Sequence, residues 1–153
     1  MYSIGRRISR VSLITSNGGT DVFVSKLDSS GDLVWAKSFG GSYNDYGESV
    51  AVDSSGNVYT TGRFAGTVDF DPGAGTTNLT PNGGIDAFVS KLDSSGDLVW
   101  AKSFGSTVGQ YSNTDIGYSV AVDSSGNVYT TGYFSGTVDF DPSAGTTNLT
   151  PNG

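Results

Sequence analysis

Apolar and polar residues alternate along several short stretches of this chain. Over Asp86–Leu92, Phe88, Ser90 and Leu92 fall on one face, and Ala87, Val89 and Lys91 fall on the other. Over Asp97–Phe104, Leu98, Trp100, Lys102 and Phe104 share a face opposite Val99, Ala101 and Ser103. A period of two puts successive side chains on opposite faces of an extended backbone, so both stretches predict strands. Asp93-Ser94-Ser95-Gly96-Asp97 lies between them. Asp bonds its own backbone two residues on and Gly accepts positive φ, which predicts a short hairpin turn. Ser49–Val52 and Asn57–Phe64 read as a second hairpin around Asp53-Ser54-Ser55-Gly56-Asn57. The same chemistry recurs at Asp28–Asp32 and Asp123–Asn127, so Asp28, Asp53, Asp93 and Asp123 are read as turn formers. No stretch sustains a helical period, and the apolar positions favour β-branched and aromatic residues.

The whole pattern occurs twice. Residues 21–40 and 86–105 differ only at Val22 against Ala87, and SVAVDSSGNVYTTG at 49–62 returns unchanged at 119–132. Arg63 then becomes Tyr133, Ala65 becomes Ser135 and Gly73 becomes Ser143. The first blocks start 65 residues apart and the second blocks 70 apart, with the extra residues in Ser106–Asp115. An insertion between near-identical flanks marks a surface loop. Four strands per repeat, twice over, predict the blades of a propeller.

The hairpin SVAVDSSGNVYTTG, the strands of DAFVSKLDSSGDLVWAKSFG and the connection GTVDFDPGAGTTNLTPNGG resemble the bacterial SBBP β-propeller repeat family over about residues 17–153. The resemblance implies an all-β propeller of four-stranded blades, and an extracellular or cell-surface bacterial protein. The chain is too short for a full ring. Its strand pairs run outer, inner, outer, inner. The expected organisation is a partly degenerate lead-in over 1–16, then two repeats over 17–153: a half-blade over 20–40, a full blade over 46–105 and a half-blade over 116–153. Each half-blade leaves an open sheet edge. Pro151-Asn152-Gly153 matches Pro81-Asn82-Gly83, and Asn17-Gly18-Gly19-Thr20-Asp21 matches Asn82-Gly83-Gly84-Ile85-Asp86. The chain therefore reads as a two-blade unit cut in a connecting loop. Head-to-tail self-association is expected to complete the ring, as a homotrimer of six blades or a homotetramer of eight, both within the roughly 4–8 blades of known propellers. The alternative is a fragment of a longer surface-protein propeller.

Composition narrows the chemistry. Of 153 residues none is Cys or His, and the net charge is −7. Catalytic triads with His, thiol chemistry, zinc fingers and disulfides are excluded. Eight basic residues against fifteen acidic ones argue against a nucleic-acid surface. No apolar run approaches the roughly 18–20 residues of a membrane span. Arg6-Arg7 are followed by an apolar stretch broken at Ser9, Arg10 and Ser12, so no signal peptide is read there.

The candidate sites are few. Asp69 and Asp71, repeated as Asp139 and Asp141, place two carboxylates at i and i+2 before a Gly-rich stretch. Such oxygens suit Ca²⁺, but the third carboxylate and closing Glu of an EF-hand are missing, and a capped turn explains the motif without metal. No cofactor is otherwise expected. Trp35 and Trp100 are read as inter-blade core. Tyr46, Tyr111 and Tyr118 lie in or beside the loop that enters each inner pair, Arg63 and Tyr133 occupy equivalent positions in otherwise matching segments, and all five are candidate contacts to a glycan or protein ligand. Glu48 is the only glutamate, and Tyr118 replaces it in the second repeat. Paired-carboxylate hydrolysis has no repeated basis, and the chain is not expected to be an enzyme. A non-catalytic scaffold or interaction module is expected, with a lectin-like propeller as the alternative.

Overall fold

The computed structural model describes residues 14–106 and 114–152. Among these residues there are twelve strands and no helix: β1 (Val22–Leu27), β2 (Leu33–Phe39), β3 (Tyr46–Val52), β4 (Val58–Ala65), β5 (Val68–Asp69), β6 (Asn78–Leu79), β7 (Ile85–Leu92), β8 (Leu98–Phe104), β9 (Ile116–Val122), β10 (Val128–Tyr133), β11 (Val138–Asp139) and β12 (Asn148–Leu149). β3, β4, β7 and β8 form one four-stranded antiparallel sheet in that order. β1–β2 and β9–β10 are separate two-stranded sheets, and β5–β6 and β11–β12 are two-residue hairpins.

The Asp-Ser-Ser-Gly turns behave as their chemistry requires. Gly31, Gly56, Gly96 and Gly126 all hold φ between 81° and 86°. Asp28 Oδ1 accepts from the N–H groups of Ser30 and Asp32, and the other three turns repeat the bonds. At Asp53 and Asp123 the second carboxylate oxygen also accepts from an Asn side chain and a Tyr hydroxyl. These donors, with the Asn57 and Asn127 side chains foremost, hold both carboxyls below the usual carboxylate range.

β3 begins at Tyr46, three residues earlier than the alternation from Ser49 predicts. A bulge between Gly47 and Ser49 shifts the register and breaks the period of two, so the first residues of the strand escape a pattern reading. Gly62 lies opposite, where a Cβ would run into the carbonyl oxygen of Tyr46.

The two faces of the four-stranded sheet pack against different elements. Phe88 and Leu92 of β7, with Phe64 and Val58 of β4, point to one face and pack with Val22, Val24 and Phe39 of the β1–β2 hairpin. Phe70, in the loop after β5, completes this core, its ring centroid 5.1 Å from Phe88 and 5.0 Å from Phe39. β9 packs on the other face, against β3 and β4. There Gly117 sits so close to Thr61 that a Cβ would strike its hydroxyl. Trp35 packs on the first core as expected, its Nε1–H donating to the Ser94 carbonyl at 3.1 Å. Trp100 is half-buried and meets the edge of Tyr59 at 6.2 Å.

Candidate functional site

The sequence-selected aromatic residues fall into two groups. Tyr46 and Arg63 are directly opposed across β3 and β4, and the Arg63 guanidinium lies 4.4 Å above the Tyr46 ring. Tyr118 and Tyr133 meet across β9 and β10 with ring centroids 5.7 Å apart, and both are exposed. Tyr46 opens β3 directly after the loop, and Tyr118 lies two residues inside β9. They are also not equivalent. The second-repeat counterpart of Tyr46 is Ile116, which is buried, and that of Tyr118 is Glu48. The aromatic surface thus changes character from repeat to repeat. Tyr111 lies outside the described residues.

The Asp69 and Asp71 motif builds a turn. Asp69 Oδ1 accepts from the N–H groups of Asp71 and Thr77, and Asp71 Oδ1 accepts from that of Gly73. Asp139 and Asp141 repeat this with Thr147 and Ser143. One oxygen of each carboxylate is thereby committed to backbone donors. Among the described residues no three acidic groups gather as a metal site would require.

Buried carboxylates form a second class, of which Asp45 and Asp115 stand out in the sequence only as acidic residues near the variable loop. Asp45 joins two segments, Oδ2 accepting from Gly41 N–H at 2.7 Å and Oδ1 from Ala65 N–H at 3.0 Å. Asp115 does the same with Ser106 and Ser135. Asp86 is fully buried, and one of its oxygens accepts from Asn82 N–H while the other has no partner. Burial, and then the negative charge of Asp115, push the Asp86 carboxyl up to about 6. The available signal was the repeat itself. Asp45 and Asp115 hold the same place in a loop whose other residues diverge.

The main geometric feature is a contrast between identical segments. Val58-Tyr59-Thr60-Thr61-Gly62 in β4 is buried throughout, flanked by β3 and β7. The same five residues in β10, Val128–Gly132, are half-buried or exposed, because β10 pairs only with β9. Tyr59 is 1% exposed and Tyr129 59%. At the other end, Phe23 and Leu27 of β1 are 73% and 56% exposed, whereas Phe88 and Leu92 of β7 are fully buried. Val50 of β3 is 58% exposed, and its counterpart Val120 only 6%.

Two grooves mark these uncovered surfaces. One, of about 410 Å³, is floored by Val128, Thr130, Phe104, Phe134 and Phe140 beside the β10 edge. The other, of about 710 Å³, runs between β1 and the face of β3 carrying Val50 and Val52. Unpaired backbone groups beside an apolar groove are suited to accepting a further strand.

A family model described as SBBP, beta-propeller repeat, matches residues 34–63 and 99–136. The chain is 32% identical over 126 residues to a regulatory protein, FlaEY, of Caulobacter vibrioides, covering 71% of this chain and 13% of that one. It is 32% identical over 147 residues to a WD repeat-containing protein, L264, of Acanthamoeba polyphaga mimivirus, covering 87% of this chain and 10% of that one. The chain therefore spans about a tenth of the length of these relatives.

Proposed function

Residues 34–63 and 99–136 are beta-propeller repeats of the SBBP type, and on that premise we propose that the chain is a non-catalytic scaffold module whose open sheets are completed by self-association into a closed ring. The observation that carries this reading is the pentapeptide shared by β4 and β10, buried in one sheet and uncovered in the other. The names of the two relatives, a regulatory protein and a WD repeat-containing protein, support an interaction role over an enzymatic one. Head-to-tail contact between unlike ends closes a ring when the rotation permits. Three copies give six blades and four give eight. An extracellular or cell-surface location goes with the reading through the repeat family alone.

Light scattering after size exclusion tests it. The expected result is one sharp species at three or four times the 15.8 kDa monomer. A folded monomer at high concentration would sink the reading.

A lectin-like role is the second reading, favoured by the exposed pair Tyr118 and Tyr133. Adjacent tyrosine rings with free hydroxyls offer an amphipathic surface to a sugar. On a glycan array, the expected outcome is binding that falls at least tenfold in Tyr118→Ala and Tyr133→Ala, about 1.4 kcal/mol. Silence across a broad array, or binding indifferent to both changes, removes this reading.

A further inference from the structure

We propose that β1 of a second copy adds to the edge of β10, in the register that β7 uses on β4, and inserts Phe23 into the groove beside that edge. This rests on the self-association reading and specifies its interface.

The ring contacts show what is missing. In the first repeat four phenylalanines form one core cluster: Phe39, Phe64 and Phe70, with Phe88 contacting all three at centroid distances of 5.6, 6.4 and 5.1 Å. Their counterparts in the second repeat are Phe104, Phe134 and Phe140. Phe140 contacts Phe104 at 5.8 Å and Phe134 at 5.3 Å, as Phe70 contacts Phe39 and Phe64. Among the described residues no fourth ring joins these three. These three rings line the groove of about 410 Å³. The residue equivalent to Phe88 is Phe23, which stands 73% exposed at the other end of the same molecule. A ring cluster short of one member and an exposed ring of matching sequence context are complementary surfaces.

The backbone gives the same answer. β4 pairs with β7 through Val58↔Leu92, Thr60↔Ser90 and Gly62↔Phe88. Transferred by repeat equivalence, β10 pairs with a second β1 through Val128↔Leu27, Thr130↔Ser25 and Gly132↔Phe23. At these six positions every side chain is identical to its template, and the next pair along replaces Arg63↔Ala87 by Tyr133↔Val22. A shift of one residue would turn Phe23 and Leu27 away from the groove, so burial fixes the register. The second groove is the reciprocal half of the contact. There β1 and the exposed Val50 await the β9–β10 hairpin of another copy, as β7 and Val120 of β9 meet the β3–β4 hairpin within the chain. One contact between unlike ends leaves the pair with a single open end of each kind, and a ring satisfies all of them.

The absence of cysteine makes the test clean. Two chains are prepared, one with Ser25→Cys and one with Thr130→Cys, mixed and mildly oxidised. Antiparallel partners lie about 4.5–5.5 Å apart at Cα, within disulfide range. The expected product is a reducible species of twice 15.8 kDa in the mixture and in neither variant alone. Ser25→Cys mixed with Val128→Cys, two positions out of register, is expected to give none. Thr60→Cys with Ser90→Cys in one chain, closing an internal disulfide, confirms that the pair geometry is oxidisable. If the protein self-associates but the matched mixture fails to cross-link while that control closes, this interface is overturned and the assembly reading stands. If light scattering shows only monomer, both fall.

Discussion

Phe88→Ala is expected to lower the unfolding free energy of the chain by about 3–5 kcal/mol, the usual cost of emptying a buried aromatic site. Phe23→Ala, in nearly the same sequence, is expected to change single-chain stability by no more than ~0.5 kcal/mol, as an exposed substitution does. The difference lies entirely in what covers each ring. Phe88 is fully buried against three other phenylalanines, and Phe23 stands in solvent at an open edge. The cost of Phe23→Ala should appear instead in assembly. Urea melts run at several protein concentrations separate the two. Phe88→Ala shifts the midpoint at every concentration. Phe23→Ala shifts it only where the unaltered protein is assembled, since a partner that binds the folded state stabilises it by mass action. Phe23→Asp, which would bury an unpaired carboxylate in the interface, should leave a folded species of 15.8 kDa. A Phe23→Ala chain that is as unstable as Phe88→Ala at the lowest concentration would mean that Phe23 is already covered within its own molecule.

How far the chain could be read from its sequence follows from how local each feature is. Alternation over β1, β2, β7, β8 and the main part of β4 survives because those strands pair in unbroken register for five residues or more, with the irregularities of β1–β2 and β7–β8 confined to their turn ends at Leu27 and Leu92. The beginning of β3 was lost to a bulge at Gly47, and β5 and β6 are two-residue pairs too short to carry a period. The turn aspartates were legible because their partners lie within six residues. Asp45 was not, because its two donors, Gly41 and Ala65, come from separate segments that meet only in the folded chain. The exposed ends of β1 and β10 are a property of topology. The order of strand pairs revealed them, and the three-ring cluster could be recognised only once the fold had brought Phe104, Phe134 and Phe140 together.

The buried carboxylates give the second large effect, and its sign is opposite to ordinary acid denaturation. Asp86 is held at about 6 in the folded chain against an ordinary 3.8, first by desolvation and then by the charge of Asp115. Burial raises Asp45 in the same direction. A raised folded value means that the native state keeps a proton the unfolded chain has released. The associated stability is full below the ordinary carboxylate value and is lost as pH rises through about 6. Thermal midpoints should therefore fall between pH 5 and pH 7.5. Asp53, Asp93, Asp123 and Asp141 are shifted the other way, and their contribution is lost at the acid end of the range, which leaves a maximum in mildly acidic solution. Asp86→Asn isolates the main group. The amide keeps an oxygen to accept the Asn82 N–H and removes the charge facing Asp115. At one fixed protein concentration, the variant should melt higher than the unaltered chain at pH 7.5 and lose most of the difference between the two pH values. A variant that melts lower by the same amount at both would show that the carboxylate serves as a hydrogen-bonding strut in either protonation state. The net charge of −7 adds general repulsion that also eases on acidification, but that term is common to both proteins and cancels in the comparison.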